Sequence, residues 1–110
     1  MSLVGEVLEE EYDRSIRLSN ALQKEINALP NGSLQKKNIN GKDYWYLQYR
    51  DGDKVKSKYI KNDDIEQMKE KIAKRKENVK ALKEQRQVQK QLSKALGKDF
   101  VYEYATKTIS

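Results

Sequence analysis

Two turn signals and the aromatic run between them constrain the fold of this chain most strongly. Asn40-Gly41 is the preferred pair for a two-residue type I′ hairpin turn, since both positions of that turn need positive φ. Asp51-Gly52 marks a second turn, and the run YWYLQYR at residues 44–50 has the aromatic content typical of a strand. We therefore predict a three-stranded antiparallel meander within residues 33–61, with strands near 33–39, 43–50 and 54–60.

The length of the second turn decides which side chains share a face, because a one-residue slip moves every side chain to the other face. A strict two-residue Asp51-Gly52 loop would place the lysines of the third strand beside Trp45. One extra loop residue places apolar side chains there instead, so we predict the longer loop. The face expected to be buried then contains Leu34, Trp45, Leu47, Tyr49, Val55, Ser57 and Tyr59. The face expected to be exposed contains Gln35, Lys37, Tyr44, Tyr46, Gln48, Arg50, Lys54, Lys56 and Lys58.

A first helix is predicted over residues 4–29, and Pro30, the only proline, ends it. Within it, a line of residues recurs at alternating steps of four and three, which is a helical period. The line consists of Leu8, Tyr12, Ser15, Ser19, Leu22, Ile26 and Leu29. Because this line includes two serines, we expect the first helix to be a weak partner in a coiled coil and a better partner for another element of the same chain.

A long second helix is predicted over residues 63–96. Asp63 and Glu66 have the spacing of a capping box, and Gly97 is expected to end the helix in a left-handed conformation. Such a helix is roughly 50 Å long, which is longer than one small sheet can cover. Its distal half must therefore pack on the first helix, on another subunit or on nothing. Its apolar residues at helical spacing are Ile65, Met68, Ile72, Val79 and Leu82.

The remaining residues, 99–110, are predicted to form an extended tail that contains the only Phe. An apolar tail on a polar chain is expected to dock, for instance in a dimer. Together the elements predict a single α+β domain over residues 1–110, with two helices packed on the apolar face of the meander. Its core is expected to be thin, since 36% of residues are apolar against roughly 45–50%, Gly included, in an average soluble chain.

The composition excludes several chemistries. With no Cys and no His, the chain lacks thiol nucleophiles, thiolate or imidazole metal ligands and His-based acid–base catalysis. It contains no phosphate-binding glycine motif. We therefore expect no enzyme activity, no cofactor, no metal site and no small-molecule substrate. The acidic N-terminal region lacks the features of a signal peptide, and no segment approaches the roughly 18 apolar residues of a membrane span, so a cytoplasmic location without membrane contact is expected.

The basic charge is concentrated in the predicted sheet and second helix. The net charge of +6 divides into −3 for residues 1–32, +4 for 33–60, +6 for 61–98 and −1 for 99–110. Such segregation is expected of a protein that binds a polyanion. Tyrosines among lysines can stack on bases while the ammonium groups neutralise phosphates, and polar side chains of a narrow sheet can reach base edges.

The prediction is a nucleic-acid-binding face formed by Lys37, Tyr44, Tyr46, Gln48, Arg50, Lys54, Lys56 and Lys58. A structural origin of the same pattern is an open alternative, since lysines on exposed strands also prevent edge-to-edge aggregation and tyrosines suit any strand. A second hypothesis is an interaction module that forms a homo-oligomer or binds a partner chain through its long helix and tail.

The segment NGKDYWYLQYRDGDKVKSKYIK, residues 40–61, resembles a family of small uncharacterised prokaryotic domains with a helix–hairpins–helix layout. The preceding LPNGS, residues 29–33, and the Lys/Glu-rich helix afterwards are similar too, so the resemblance covers about residues 29–97. It implies this layout and no assigned activity. The WYLQYR run and its turn also resemble the three-stranded N-terminal domain with which phage-type integrases bind arm DNA. This second resemblance implies DNA binding alone, because the chain has no His and is too short for a recombinase catalytic domain.

Overall fold

The computed structural model describes residues 3–97 and confirms the predicted α+β class. These residues form two compact units: the sheet unit, residues 25–77, and the helix-pair unit, residues 3–24 with 78–97. The predicted tail lies outside the described residues, and the assignment of a single domain stays a prediction. The elements in chain order are α1 (Leu3–Ala28), β1 (Ser33–Ile39), β2 (Lys42–Asp51), β3 (Lys54–Ile60), a 3₁₀ turn (Asn62–Asp64) and α2 (Ile65–Leu96).

The first hairpin forms as predicted. Asn40 and Gly41 have φ values of 52° and 85°, the pair of positive angles that a type I′ turn requires. The Asn38 side chain supports the turn, since its Oδ1 accepts a hydrogen bond from the Gly41 N–H at 3.2 Å and its Nδ2 donates to Asp43 Oδ1 at 3.0 Å. The strand order is β1-β2-β3, and Leu47 of β2 lies opposite Leu34 of β1.

The second hairpin differs from the prediction. Its loop is Gly52-Asp53, two residues long, and Asp51 and Lys54 form the last cross-strand pair. Gly52 has a φ of 65° and Asp53 a negative φ, the combination found in type II′ hairpin turns, which take Gly at the first loop position. The expectation of one extra loop residue was wrong.

This register exchanges the two sets of β3 side chains. Lys54, Lys56 and Lys58 lie on the face that bears Trp45, and Val55, Ser57 and Tyr59 lie on the opposite face with Tyr46. Both sets were predicted the other way round. The residue that decides is Ile60, which lies opposite Trp45 and is only 4% exposed.

The burial pattern of β3 explains why the lysines are tolerated beside Trp45. Val55 is 57% exposed and Tyr59 50%, so neither needs the core, whereas Ile60 reaches it in this register. Every other residue of β3 is exposed. Lysine side chains can follow an apolar surface with their methylene stems while the ammonium groups remain in water.

The core of the sheet unit lies on the face of the meander that bears Trp45, here called the covered face. Leu47, Ile60 and Ile65 are buried there, and the first turns of α2 pack on it. The partly buried side chains around these three are Leu34, Trp45, Tyr49, Met68 and Ile72. Lys69 of α2 places its Nζ 5.1 Å from the centre of the Trp45 ring, a cation–π contact.

The two ends of α2 contrast in how well they were predicted. The helix is preceded by a 3₁₀ turn, in which the Asp64 N–H donates a hydrogen bond to the Lys61 carbonyl oxygen at 2.9 Å. Lys61 is the N-cap residue of this turn, and its side chain makes no capping hydrogen bond. This backbone turn takes the place of the predicted capping box. At the other end, Gly97 has a φ of 101° and its N–H donates to Ser93 O at 3.1 Å, as predicted.

The helix-pair unit contains a polar interface between α1 and α2. The Ser15 hydroxyl donates to Gln85 Oε1 at 2.8 Å, and Gln89 Nε2 donates to Ser19 Oγ at 2.7 Å. Ser15 is buried, as is Leu82. The distal half of α2 thus packs on the first helix, the first of the three predicted alternatives, through the two serines of the α1 line. No helix within residues 3–97 is long and apolar enough to cross a membrane.

Candidate nucleic-acid interface

The second face of the meander, here called the open face, contains the alternate residues that point away from the core of the sheet unit. Tyr44 and Tyr46 on this face are half-buried, and its other residues are exposed. The face therefore presents its side chains to solvent, as a binding surface requires. It is made of Ser33, Gln35, Lys37, Ile39, Lys42, Tyr44, Tyr46, Gln48, Arg50, Val55, Ser57 and Tyr59.

Three tyrosines from two strands meet on the open face and form what we call the tyrosine cluster: Tyr44, Tyr46 and Tyr59. The ring centroids of Tyr46 and Tyr59 are 5.8 Å apart with the planes at 64°, and those of Tyr44 and Tyr59 are 6.4 Å apart at 56°. Edge-on and tilted contacts at these distances are preferred by aromatic pairs. The cluster thus offers aromatic surface at several orientations on one patch.

The charge on the open face is of one sign. Lys37, Lys42 and Arg50 lie on it, and no Asp or Glu of the three strands does. Lys37 places its Nζ 4.9 Å from the centre of the Tyr46 ring, so a cation and the tyrosine cluster share one patch. Within residues 3–97, neither Lys37 nor Arg50 forms an ion pair. These cations are therefore available to an anionic ligand.

The covered face differs in its charges. Asp43 and Asp51 of β2 both lie on it and form ion pairs with neighbouring lysines. Lys36 Nζ lies 3.9 Å from Asp43 Oδ2, and Lys56 Nζ lies 2.6 Å from Asp51 Oδ2. All the carboxylates of the three strands are thus on the face away from the tyrosine cluster.

The structure brings five of the eight predicted site residues together on the open face: Lys37, Tyr44, Tyr46, Gln48 and Arg50. The remaining three, Lys54, Lys56 and Lys58, lie on the covered face, because the Gly52-Asp53 loop sets their register. The predicted surface thus loses three cations.

The surface also gains one aromatic residue that sequence reasoning missed. Tyr59 was expected in the core because a longer loop was predicted; a two-residue loop at either Asp51-Gly52 or Gly52-Asp53 places it on the open face, and both pairs are signals of such a loop. With Tyr59 opposite Tyr46, the aromatic patch extends from β2 to the edge strand.

The functional groups of the open face suit recognition of an extended polyanion. Ser33, Gln48 and Ser57 form an uncharged polar row between the tyrosine cluster and Arg50. Amide and hydroxyl groups of this kind hydrogen-bond to phosphates, sugars and base edges. Within the part of the chain that the structure describes, no three acidic side chains are grouped to hold a metal ion.

Comparison with known proteins places the chain among domains that have no assigned activity. A family model described as a domain of unknown function, DUF6788, matches residues 6–70. The matched region is more than half of the chain and runs from the first turns of α1 through the meander to the first turns of α2. No curated protein and no solved structure matches the chain.

Proposed function

Because the chain belongs to the DUF6788 family, a domain of unknown function, we propose a function from its own geometry: a non-enzymatic module that binds nucleic acid on the open face of its meander. The observation that carries this proposal is the tyrosine cluster in contact with Lys37, on an exposed sheet face that also bears Lys42 and Arg50 and has no carboxylate. The same strands place their acidic residues on the other face.

The electrostatics of the whole chain support the proposal. A net charge of +6 attracts a polyanion from a distance, and the cations of the open face are where contact with phosphate would be made. Aromatic rings on such a surface add base stacking, which tolerates any sequence because every base has a π face.

A purely structural role explains the tyrosines but not the charges. Cross-strand aromatic contacts stabilise a sheet by about 0.5–1.5 kcal/mol beyond area burial, so the Tyr46–Tyr59 pair would favour the fold without any ligand. A structural role does not account for Lys37, Lys42 and Arg50 sharing the open face with no carboxylate to neutralise them. Nucleic-acid binding accounts for both features.

The test is a fluorescence anisotropy titration of labelled single-stranded and duplex oligonucleotides at several salt concentrations. If the open face contacts phosphates, the logarithm of the association constant falls linearly with the logarithm of the salt concentration. Arg50→Ala is expected to weaken binding and to make this slope shallower, by about 0.7 for a single strand or about 0.9 for a duplex.

The matched control is Lys54→Ala, which removes the same charge from the covered face at the first strand position after the loop. This variant is expected to leave the slope unchanged, since its ammonium group does not lie on the open face. A slope near zero for the wild type, or equal changes for Arg50→Ala and Lys54→Ala, would remove the proposed function.

A second candidate function, association with a second copy of the chain through the helices, is favoured by exposed apolar residues of the helix-pair unit. Leu18 and Val88 line a groove of about 820 Å³ between α1 and α2, and Val7 is also exposed. Sedimentation equilibrium distinguishes this candidate. Association predicts an average mass that rises with protein concentration and falls back in Leu18→Ser, whereas a constant monomer mass would remove it.

A further inference from the structure

A basic depression lies at the edge of the sheet unit, where β3 leads into α2. Three lysines line it, Lys58, Lys61 and Lys71, and its volume is about 380 Å³. We call it the lysine depression. Asp64 is the one carboxylate among its lining residues, so the lining carries a positive net charge. Within residues 3–97, none of the three lysines forms an ion pair.

Tyr59 connects the lysine depression to the open face. It lines the depression, and its ring lies 5.8 Å from that of Tyr46 in the tyrosine cluster. Because β3 is an edge strand, a ligand can pass from one face of the sheet to the other around this edge without meeting another strand. Aromatic surface and a cluster of cations without ion pairs are therefore adjacent at this edge.

We propose that the ligand of the open face is a single-stranded nucleic acid, with bases stacked on the tyrosine cluster and phosphates bound by the lysines of the depression; this rests on the proposed function. Stacking on a tyrosine requires a base whose face is free, and the bases of a duplex present only their edges in the grooves. The rings of the cluster are tilted by 56° and 64° to one another, so bases stacked on them cannot remain parallel as in a duplex.

The arrangement of cations also fits a single strand. A flexible backbone can turn around the edge of β3 from the tyrosine cluster into the lysine depression, whereas a stiff duplex cannot follow so tight a surface. Combining a basic groove for the backbone with aromatic rings for the bases is the general scheme of single-strand binding. Tyr59 lies where the two parts meet, and half of its surface is exposed.

The first experiment compares three labelled ligands of equal length by anisotropy at one salt concentration: dT20, a 20-base-pair duplex and an abasic sugar–phosphate 20-mer. We expect dT20 to bind at least about tenfold more tightly than either of them, because only its bases can stack on the tyrosine rings. Tyr59→Ala is expected to remove most of the preference for dT20 over the abasic oligomer. Tyr59→Phe retains the ring and is expected to retain the preference.

The second experiment addresses the lysines with a double variant, Lys61→Ala with Lys71→Ala, at two exposed positions. We expect the slope of log affinity for dT20 against log salt to become shallower by about 1.4, because each of the two lost phosphate contacts contributes roughly 0.7 to its magnitude. The matched control is Lys80→Ala with Lys83→Ala, which removes two exposed charges from the part of α2 that belongs to the helix-pair unit and is expected to leave the slope unchanged.

The outcomes separate this inference from the proposed function. Duplex binding as tight as dT20 binding, or equal slopes for the two lysine double variants, would overturn the inference. In either case, a reduced slope in Arg50→Ala would still support nucleic-acid binding by the open face. If none of the three oligomers binds, both proposals are wrong.

Discussion

The two faces of the meander are formed by the same three strands, yet they differ in which side chains are buried and in where the carboxylates lie. The covered face contains the buried side chains of Leu47 and Ile60 and all of the strand carboxylates. The open face contains the tyrosine cluster and cations without carboxylates. The two faces are not simply an apolar and a polar side of the sheet, because the lysines of β3 lie on the covered face and Val55 lies on the open face.

Stability is where we expect the two faces to differ most. Leu47, 6% exposed, is at the centre of the core of the sheet unit, so Leu47→Ala is expected to lower the free energy of unfolding by about 2–5 kcal/mol. Val55 is exposed on the open face, and Val55→Ala is expected to change it by less than about 0.5 kcal/mol. Urea denaturation followed by circular dichroism measures both. A loss above about 1 kcal/mol for Val55→Ala would mean that Val55 is buried and the register is wrong.

The next contrast concerns glycines, one packed against β2 and one at a free turn. A Cβ on Gly32 would lie 2.4 Å from the carbonyl oxygen of Gln48, and its φ is 137°. Gly41 also has a positive φ, but a Cβ there meets nothing within 4 Å. Gly41→Ala is expected to cost about 1–2 kcal/mol from backbone strain alone, and Gly32→Ala more, because the clash with backbone adds to the strain. Equal losses in thermal or urea unfolding would contradict the close packing at Gly32.

A smaller effect tests the register directly. In a double-mutant cycle of alanine substitutions, Tyr46 and Tyr59 are expected to show a coupling energy of about 0.5–1.5 kcal/mol, because their rings are in contact on the open face. Tyr49 and Tyr59 lie on opposite faces and serve as the control pair, with a coupling near zero. Coupling in the control pair and none between Tyr46 and Tyr59 would place Tyr59 on the covered face.

The weakest interaction to be measured is the ion pair of Lys56 and Asp51 on the covered face. Both side chains are largely exposed, so a double-mutant cycle should give about 0–1 kcal/mol at low salt and less near about 1 M salt, where charges are screened. The cycle is measured by urea denaturation at both salt concentrations. A coupling that does not fall with salt would show that this pair is not an exposed electrostatic contact.

The sequence was sufficient to predict elements whose signals do not overlap. Asn40-Gly41 specified the first hairpin, and helical periodicity with Pro30 and Gly97 located both helices to within about two residues. The second turn was ambiguous because its Asp-Gly and Gly-Asp pairs both signal a two-residue loop, whereas a loop one residue longer places more apolar residues on the face of Trp45. The number of apolar residues then favoured the wrong register.

The interaction that decides the register was not visible as a pattern. A single residue, Ile60, is buried with Ile65, which follows it after the 3₁₀ turn, and this outweighs the exposed Val55 and Tyr59. Counting apolar residues on a face cannot show which of them reaches the core. For the same reason the candidate site was predicted for β1 and β2 but not for β3. The contact between Ser15 and Gln85 had no apolar signal to reveal it.

Nucleic-acid binding by the open face is tested most directly by proton NMR of side chains during a titration with dT20. Trp45 is an internal reference, since its ring lies on the covered face under Lys69. We expect the ring signals of Tyr44, Tyr46 and Tyr59 to shift progressively and saturate, while the Trp45 indole signal stays in place. Unchanged tyrosine signals at saturating oligonucleotide, or a shift confined to Trp45, would contradict binding at this face.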